Sequence, residues 1–217
     1  MRKRLSENGA LSFRDHELLE MLLYYSIPRV NTNMMAHNLL DKFGDICGVL
    51  NADERELTKI DGIGQNSAYA IKTVAGIVGR YIMCENEITN AFSDPEMLGR
   101  YLTGIFVGEA HEKLYALILN QKGKIVDKAC VATGAVNFVN LPVRKIADLA
   151  VIQGATHVVL AHNHPNGCAM PSAEDVRLTL NVKETLSMLG INLLEHFVIS
   201  GNRYQLIIRS GYNGMKI

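Results

Sequence analysis

The sequence has no excess of either charge: 22 Lys and Arg stand against 22 Asp and Glu, giving a formal net charge of zero. Whole-chain electrostatics therefore give no case for a nucleic-acid partner, although a neutral total leaves room for a local basic patch. Cysteine is sparse. Cys47, Cys84, Cys130 and Cys168 are scattered with no C-x-x-C pair, which excludes a disulfide framework. No stretch reaches about 18 uninterrupted apolar residues, so no transmembrane helix is expected. The basic start MRKRLSENGA has no apolar run behind it and fails as a secretory signal, and its RKR reads as a solvated cluster. Internal repeats and low-complexity tracts are also missing. These absences leave a soluble, cytoplasmic protein as the expectation. At 217 residues and 48% hydrophobic, the chain is long enough for one large domain or two small ones.

What is present changes character along the chain. In LSFRDHELLEMLLYYSI, Leu18, Leu19, Leu22 and Leu23 recur at helical spacing, with Asp15 placed to cap the start and an end near Pro28. NTNMMAHNLLDKFG predicts a second helix stopped by Gly44, and DERELTKI a short third. DGIGQNSAYAIKTVAGIVGRYI is a two-glycine turn entering a long helix, with Ala68, Ile71, Ala75 and Val78 on one face. After FSDPEML the pattern alternates. KLYALILN and KIVDKACVA read as strands joined by a QKGK hairpin, PVRKIADLAVIQG as a helix, and THVVLAHNH as a buried strand. SAEDVRLTLNVKETLSMLG then reads as a helix and INLLEHFVIS as a strand, the signature of a mixed sheet covered by helices. The expected division is an all-helical domain over residues 1–92 and a mixed α/β domain over 93–217.

Residues 162 to 175 carry chemistry. Side chains alternate across a strand, so His162 and His164 point to one face at the end of THVVLAHNH. Pro165, Asn166 and Gly167 turn the chain, and a helix begins at Ser172 with Asp175 in its first turn. Two imidazoles, one carboxylate and an open fourth position form the ligand pattern of a catalytic zinc, which lowers the pKa of bound water to about 7. Each part also has a structural explanation. Ser172 and Asp175 make an S-x-x-D capping box, and a lone histidine is more often a hydrogen-bonded core or rim residue. Cys168 sits in the loop as a possible further ligand or a plain turn residue. His196 or Glu195 is placed to enter the core as a partner of the site, whereas His16, His37, His111 and His157 have no partner at informative spacing.

AHNHPNGCAMPSAED, with H-x-H, seven residues, Ser, two residues and Asp, resembles the JAMM motif of the JAB1/MPN metallopeptidase superfamily. More narrowly the chain resembles the bacterial RadC family, labelled as DNA repair proteins, through LSFRDHELLEMLL, LTKIDGIG, TGAVN, LAHNHPNG, PSAED and LGINLLEHFVIS in that order. The resemblance implies an α+β architecture, with a helix-hairpin-helix domain followed by a JAB1/MPN-like, cytidine-deaminase-like domain. It also implies a zinc held by His162, His164 and Asp175, Ser172 as the catalytic residue that positions water or stabilises the oxyanion, and hydrolysis of peptide or isopeptide bonds. The family's general-base glutamate is missing. Aligned without gaps from His162, its His-Pro-Arg-Glu segment falls on PVRK, so Arg144 keeps the arginine and Lys145 replaces the glutamate. Glu109, Glu112 and Glu195 are the candidate substitutes.

LTKIDGIGQNSAYAIKTV resembles a helix-hairpin-helix element in which Gly62 and Gly64 let the backbone approach a DNA phosphate and Lys59 and Lys72 add charge. A plain helix-helix turn accounts for the same glycines equally well. Two functions follow: a zinc-dependent metallopeptidase-type hydrolase with a peptide or protein substrate and a DNA contact, or a zinc-stabilised binding protein without turnover because of Lys145. A deaminase is disfavoured, since H-x-E and P-C-x-x-C are absent.

Overall fold

Apolar residues recurring every three or four positions set the first part of the chain as helices. The computed structural model describes residues 1–134, 141–165 and 167–211, so Ala135 to Asn137 of TGAVN and Asn166 of the turn lie outside the described residues. Two units are separable: residues 1–78 with 107–110, and residues 79–106 with 111–217.

The first unit contains α1 (Arg2–Asn8), α2 (Asp15–Ser26), α3 (Asn33–Phe43), α4 (Ile46–Asn51), α5 (Glu54–Leu57) and the start of α6 (Gln65–Glu85). Its core is built from Leu19, Leu23, Ala36, Leu39, Leu57, Ile63, Ala68 and Ile71. Arg2 and Lys3 are exposed, as expected of a solvated cluster, while the Arg4 guanidinium is 2.6 Å from Glu17 and lies 3.9 Å from the Phe13 ring centre. One expectation is corrected here. Asp15 is the first helical residue and not the cap. The capping position is Arg14, whose N–H donates to the Glu17 carboxylate at 2.9 Å. The rings of His16 and His37 also find each other, stacking at 4.5 Å.

In the second unit, α7 (Pro95–Ile105) is a helix not expected from the sequence. Asp94 caps it by accepting the Met97 N–H, and Leu98 and Leu102 bury one stripe. There follow β1 (Lys113–Leu119), β2 (Ile125–Thr133), α8 (Leu141–Ile152), β3 (His157–Asn163), α9 (Ala173–Met188), β4 (Asn192–Ser200) and β5 (Arg203–Leu206). The strands form one sheet in the order β2-β1-β3-β4-β5. Only β3 and β4 pair in parallel, joined through α9; the other neighbours are antiparallel. Leu114, Ala116, Val158 and Leu160 face a core completed by Ile146 of α8 and Leu178 and Val182 of α9. Leu117, Val159, Ala161, Phe197 and Ile199 face the opposite core under α7. β5, with four residues, is too short for its alternation to show in the sequence. The mixed sheet with helices on both faces agrees with the α+β expectation, and no helix among the described residues is long and apolar enough to cross a membrane.

Candidate metal centre

Strand alternation puts His162 in the row of Val158 and Leu160, on the face covered by α8 and α9, where it is 3% exposed. β3 ends at Asn163. Its side chain accepts the Lys113 N–H at 2.7 Å and donates to the His111 carbonyl at 3.1 Å, which locks the strand end. His164 continues the pairing by one bond, its N–H donating to the Ile199 carbonyl at 2.8 Å, so its side chain returns to the face of His162. The loop comes back over this edge, held by the Ser200 hydroxyl on the Gly167 carbonyl at 2.8 Å, and delivers Ser172 as the N-cap of α9. Both halves of the capping box form. Ser172 Oγ accepts the Asp175 N–H at 3.1 Å, and Asp175 Oδ2 accepts the Ser172 N–H and hydroxyl, each at 2.7 Å.

That box aims the Asp175 carboxylate at the histidines. His162 Nε2 lies 3.0 Å from His164 Nε2 and 3.1 Å from Asp175 Oδ1, and His164 Nε2 lies 3.7 Å from Asp175 Oδ2. A tetrahedral ion with bonds of about 2.0–2.1 Å separates its ligand atoms by roughly 3.3–3.4 Å, close to the separations of His162 Nε2 from His164 Nε2 and from Asp175 Oδ1, whereas the 3.7 Å contact of His164 is to the other carboxylate oxygen. Two lone pairs facing each other at 3.0 Å repel unless a proton or cation stands between them, so the donor set itself fits a cation. Among the described residues, His162, His164 and Asp175 are the one group with this arrangement. Burial opposes ionisation of Asp175, but the His162 ring in its protonated form and the Ser172 N–H and hydroxyl outweigh it and hold the carboxyl well below the usual range.

The imidazoles are held from behind. His164 Nδ1 lies 3.0 Å from the Cys168 carbonyl, which can only accept, so Nδ1 carries a proton and in the neutral ring Nε2 is bare toward the cluster. Cys168 thus contributes its backbone, and its exposed thiol is outside the ligand group. His162 Nδ1 is 2.9 Å from Nε2 of His196, which is fully buried. Burial, reinforced by the neighbouring His162, pushes the His196 pKa well below that of a free imidazole. His196 Nδ1 in turn is 2.7 Å from Thr179 Oγ1. Thr179 was missed in the sequence; its one signal is its place four residues after Asp175, on the same face of α9.

One candidate base is engaged elsewhere. Glu195 is buried and accepts the N–H groups of His196, Ile208 and Arg209 at 2.8, 2.7 and 3.0 Å. Lys145 donates to the Cys130 and Val131 carbonyls of β2 at 3.1 and 3.4 Å, and Arg144 is 3.7 Å from Asp148. Neither Glu109 nor Glu112 joins the ligand group. In the first unit, Gly62 has φ +80°, and a Cβ there would stand 2.2 Å from Met35 Cε; Gly64 faces open space. Lys59 pairs with Glu56, and Lys72 donates to the Leu50, Ala52 and Gly108 carbonyls.

Comparison with known proteins places this geometry. Residues 92–211 match the RadC-like JAB domain, and residues 2–69 match the UPF0758 N-terminal domain. A UPF0758 protein of Carboxydothermus hydrogenoformans is 34% identical over 94% of this chain and 90% of its own length. A UPF0758 protein of Histophilus somni is 27% identical over 97% of this chain and 95% of its own. With the H-x-H strand end, the capped Asp175 and both domain matches in order, the chain belongs to the UPF0758 family of proteins with a RadC-like JAB domain.

Proposed function

We propose that this chain is a zinc-dependent hydrolase of the metallopeptidase type, acting on a peptide or isopeptide bond of a protein substrate. The observation that carries the reading is the convergence of His162 Nε2, His164 Nε2 and the Asp175 carboxylate, where one ligand atom from each residue lies within 4.8 Å of the others. A zinc ion bound by these three residues would supply an acidified water nucleophile and a Lewis acid for the scissile carbonyl. The protein's own part is positioning. His162 and Asp175 are buried, whereas His164 is 20% exposed at its side chain and leaves the site open on its side. Ser172 is exposed beside them. Its hydroxyl can turn from Asp175 Oδ2 to a developing oxyanion while its backbone N–H keeps the carboxylate in place.

A second reading rests on Lys145. An ammonium held on the β2 carbonyls stands where the resemblance places the glutamate base, and Glu195 is committed to three amides. A zinc-stabilised protein-binding domain without turnover fits these two facts. A DNA contact at Gly62 and Gly64 is a separate expectation on which the metal site does not bear; beside it Lys59 pairs with Glu56 and Lys72 is held by carbonyls of the first unit.

Elemental analysis of protein purified without chelator decides the shared part. One zinc per chain is expected, lost in His162→Ala; absence of metal even after zinc addition overturns both readings. A peptide library then separates them. Zinc-dependent cleavage that disappears in His162→Ala supports the hydrolase, and stoichiometric zinc with no cleavage supports the binding domain.

A further inference from the structure

The hydrogen-bond chain behind His162 has one order of protons in which every short contact, including the one to the Asp175 carbonyl, is bridged. It ends at the backbone carbonyl of Asp175, which can only accept and is approached by the Thr179 hydroxyl at 2.6 Å. Thr179 therefore donates to that carbonyl and has only lone pairs left for His196 Nδ1, 2.7 Å away. His196 must carry its proton on Nδ1, and as a fully buried neutral ring its Nε2 is then bare. That bare nitrogen, 2.9 Å from His162 Nδ1, accepts the proton there. A neutral His162 is left with its lone pair on Nε2, the atom that faces His164 and Asp175.

We propose that Thr179 and His196 are positioning residues that fix the tautomer and ring plane of His162 for metal binding, through a relay anchored on the backbone of Asp175. Resting on the zinc-site reading, the inference adds a coupling between two ligands. Asp175 offers its carboxylate to the site and, through its carbonyl, sets the proton on His162. His164 reaches the same state by one direct bond to the Cys168 carbonyl. The relay crosses from α9 to β4 to β3, so the orientation of His162 depends on the packing of all three elements.

The test uses the full-length chain. Long-range 1H–15N spectra should show His196 as the Nδ1–H tautomer with or without zinc; an Nε2–H tautomer overturns the relay. In competition with a chromogenic chelator, Thr179→Val should weaken zinc binding by about 10- to 100-fold, the range expected for loss of a partner behind a ligand. Thr179→Ser, which keeps the hydroxyl, should stay within a few-fold of wild type. Circular dichroism confirms that both variants fold. Zinc affinity unchanged in Thr179→Val, or lost equally in the serine variant, overturns the inference. If the wild type binds no zinc, the hydrolase reading and the metal-binding role of the relay fall together. A relay failure alone appears as normal wild-type zinc binding with the wrong His196 tautomer or a silent Thr179→Val.

Discussion

Gly62 shows at the scale of one residue how a motif can be visible while its reason is not. The G-x-G spacing suggests close approach to a phosphate or a turn with unusual dihedrals, and in the structure Gly62 has a φ of +80°, a conformation that favours glycine under either reading. Gly62→Ala is expected to destabilise the chain by about 1–2 kcal/mol, the cost of a side chain in the left-handed region. Met35 Cε, the flexible end of its side chain, can move aside for the new methyl. Gly64→Ala meets open space, and a change within about 0.5 kcal/mol is expected. Urea denaturation of the full chain checks both, and equal losses would remove the backbone argument. Lys145 makes the complementary point. The substitution of lysine for glutamate is legible in PVRK, but its attachment to the Cys130 and Val131 carbonyls depends on α8 lying across β2.

At the scale of elements, β4 holds a buried carboxylate that organises the chain after β5. Glu195 collects three backbone N–H groups, two of them from Ile208 and Arg209 beyond the sheet. Glu195→Ala leaves those donors without their acceptor, and a loss of about 3 kcal/mol or more is expected, given about 1–3 kcal/mol for each buried unsatisfied group. Glu195→Gln keeps the oxygen that serves His196 and Ile208 and should lose roughly half as much, as a neutral acceptor bonds more weakly than a charged one. Thermal denaturation of the two variants measures the order. Equal stability of wild type and alanine variant would show that water replaces the carboxylate. The long helices and four of the five strands were readable because their apolar periodicity is strong. α1, α4, α7 and β5 are not legible in this way. In α7 the Asp94-Pro95 start coincides with the change of pattern along the chain, and β5 is four residues with no fully buried side chain.

At the scale of the whole molecule, the metal reading predicts an uneven response to zinc. All three proposed ligands belong to the second unit, so ligand binding should stabilise that unit and leave the first nearly unchanged. With free zinc about 100-fold above its dissociation constant, the gain is about 2.7 kcal/mol. Calorimetry should show one transition moving up with zinc and down with chelator, and Asp175→Asn should abolish most of the movement. A zinc-independent profile would count against a site in this unit.

The local part of the site was determined by the sequence alone. Strand alternation puts His162 and His164 on one face, and the S-x-x-D box puts Asp175 in the first turn of α9, because both periodicities are set by the nearest few residues. Tertiary structure decided what faces those groups. His196 reaches His162 across 34 positions, Thr179 reaches His196 across 17, and Glu195 is claimed by amides 13 and 14 positions away. Such contacts depend on strand register and on how α9 seats against the sheet. Periodicity within one segment carries no record of either.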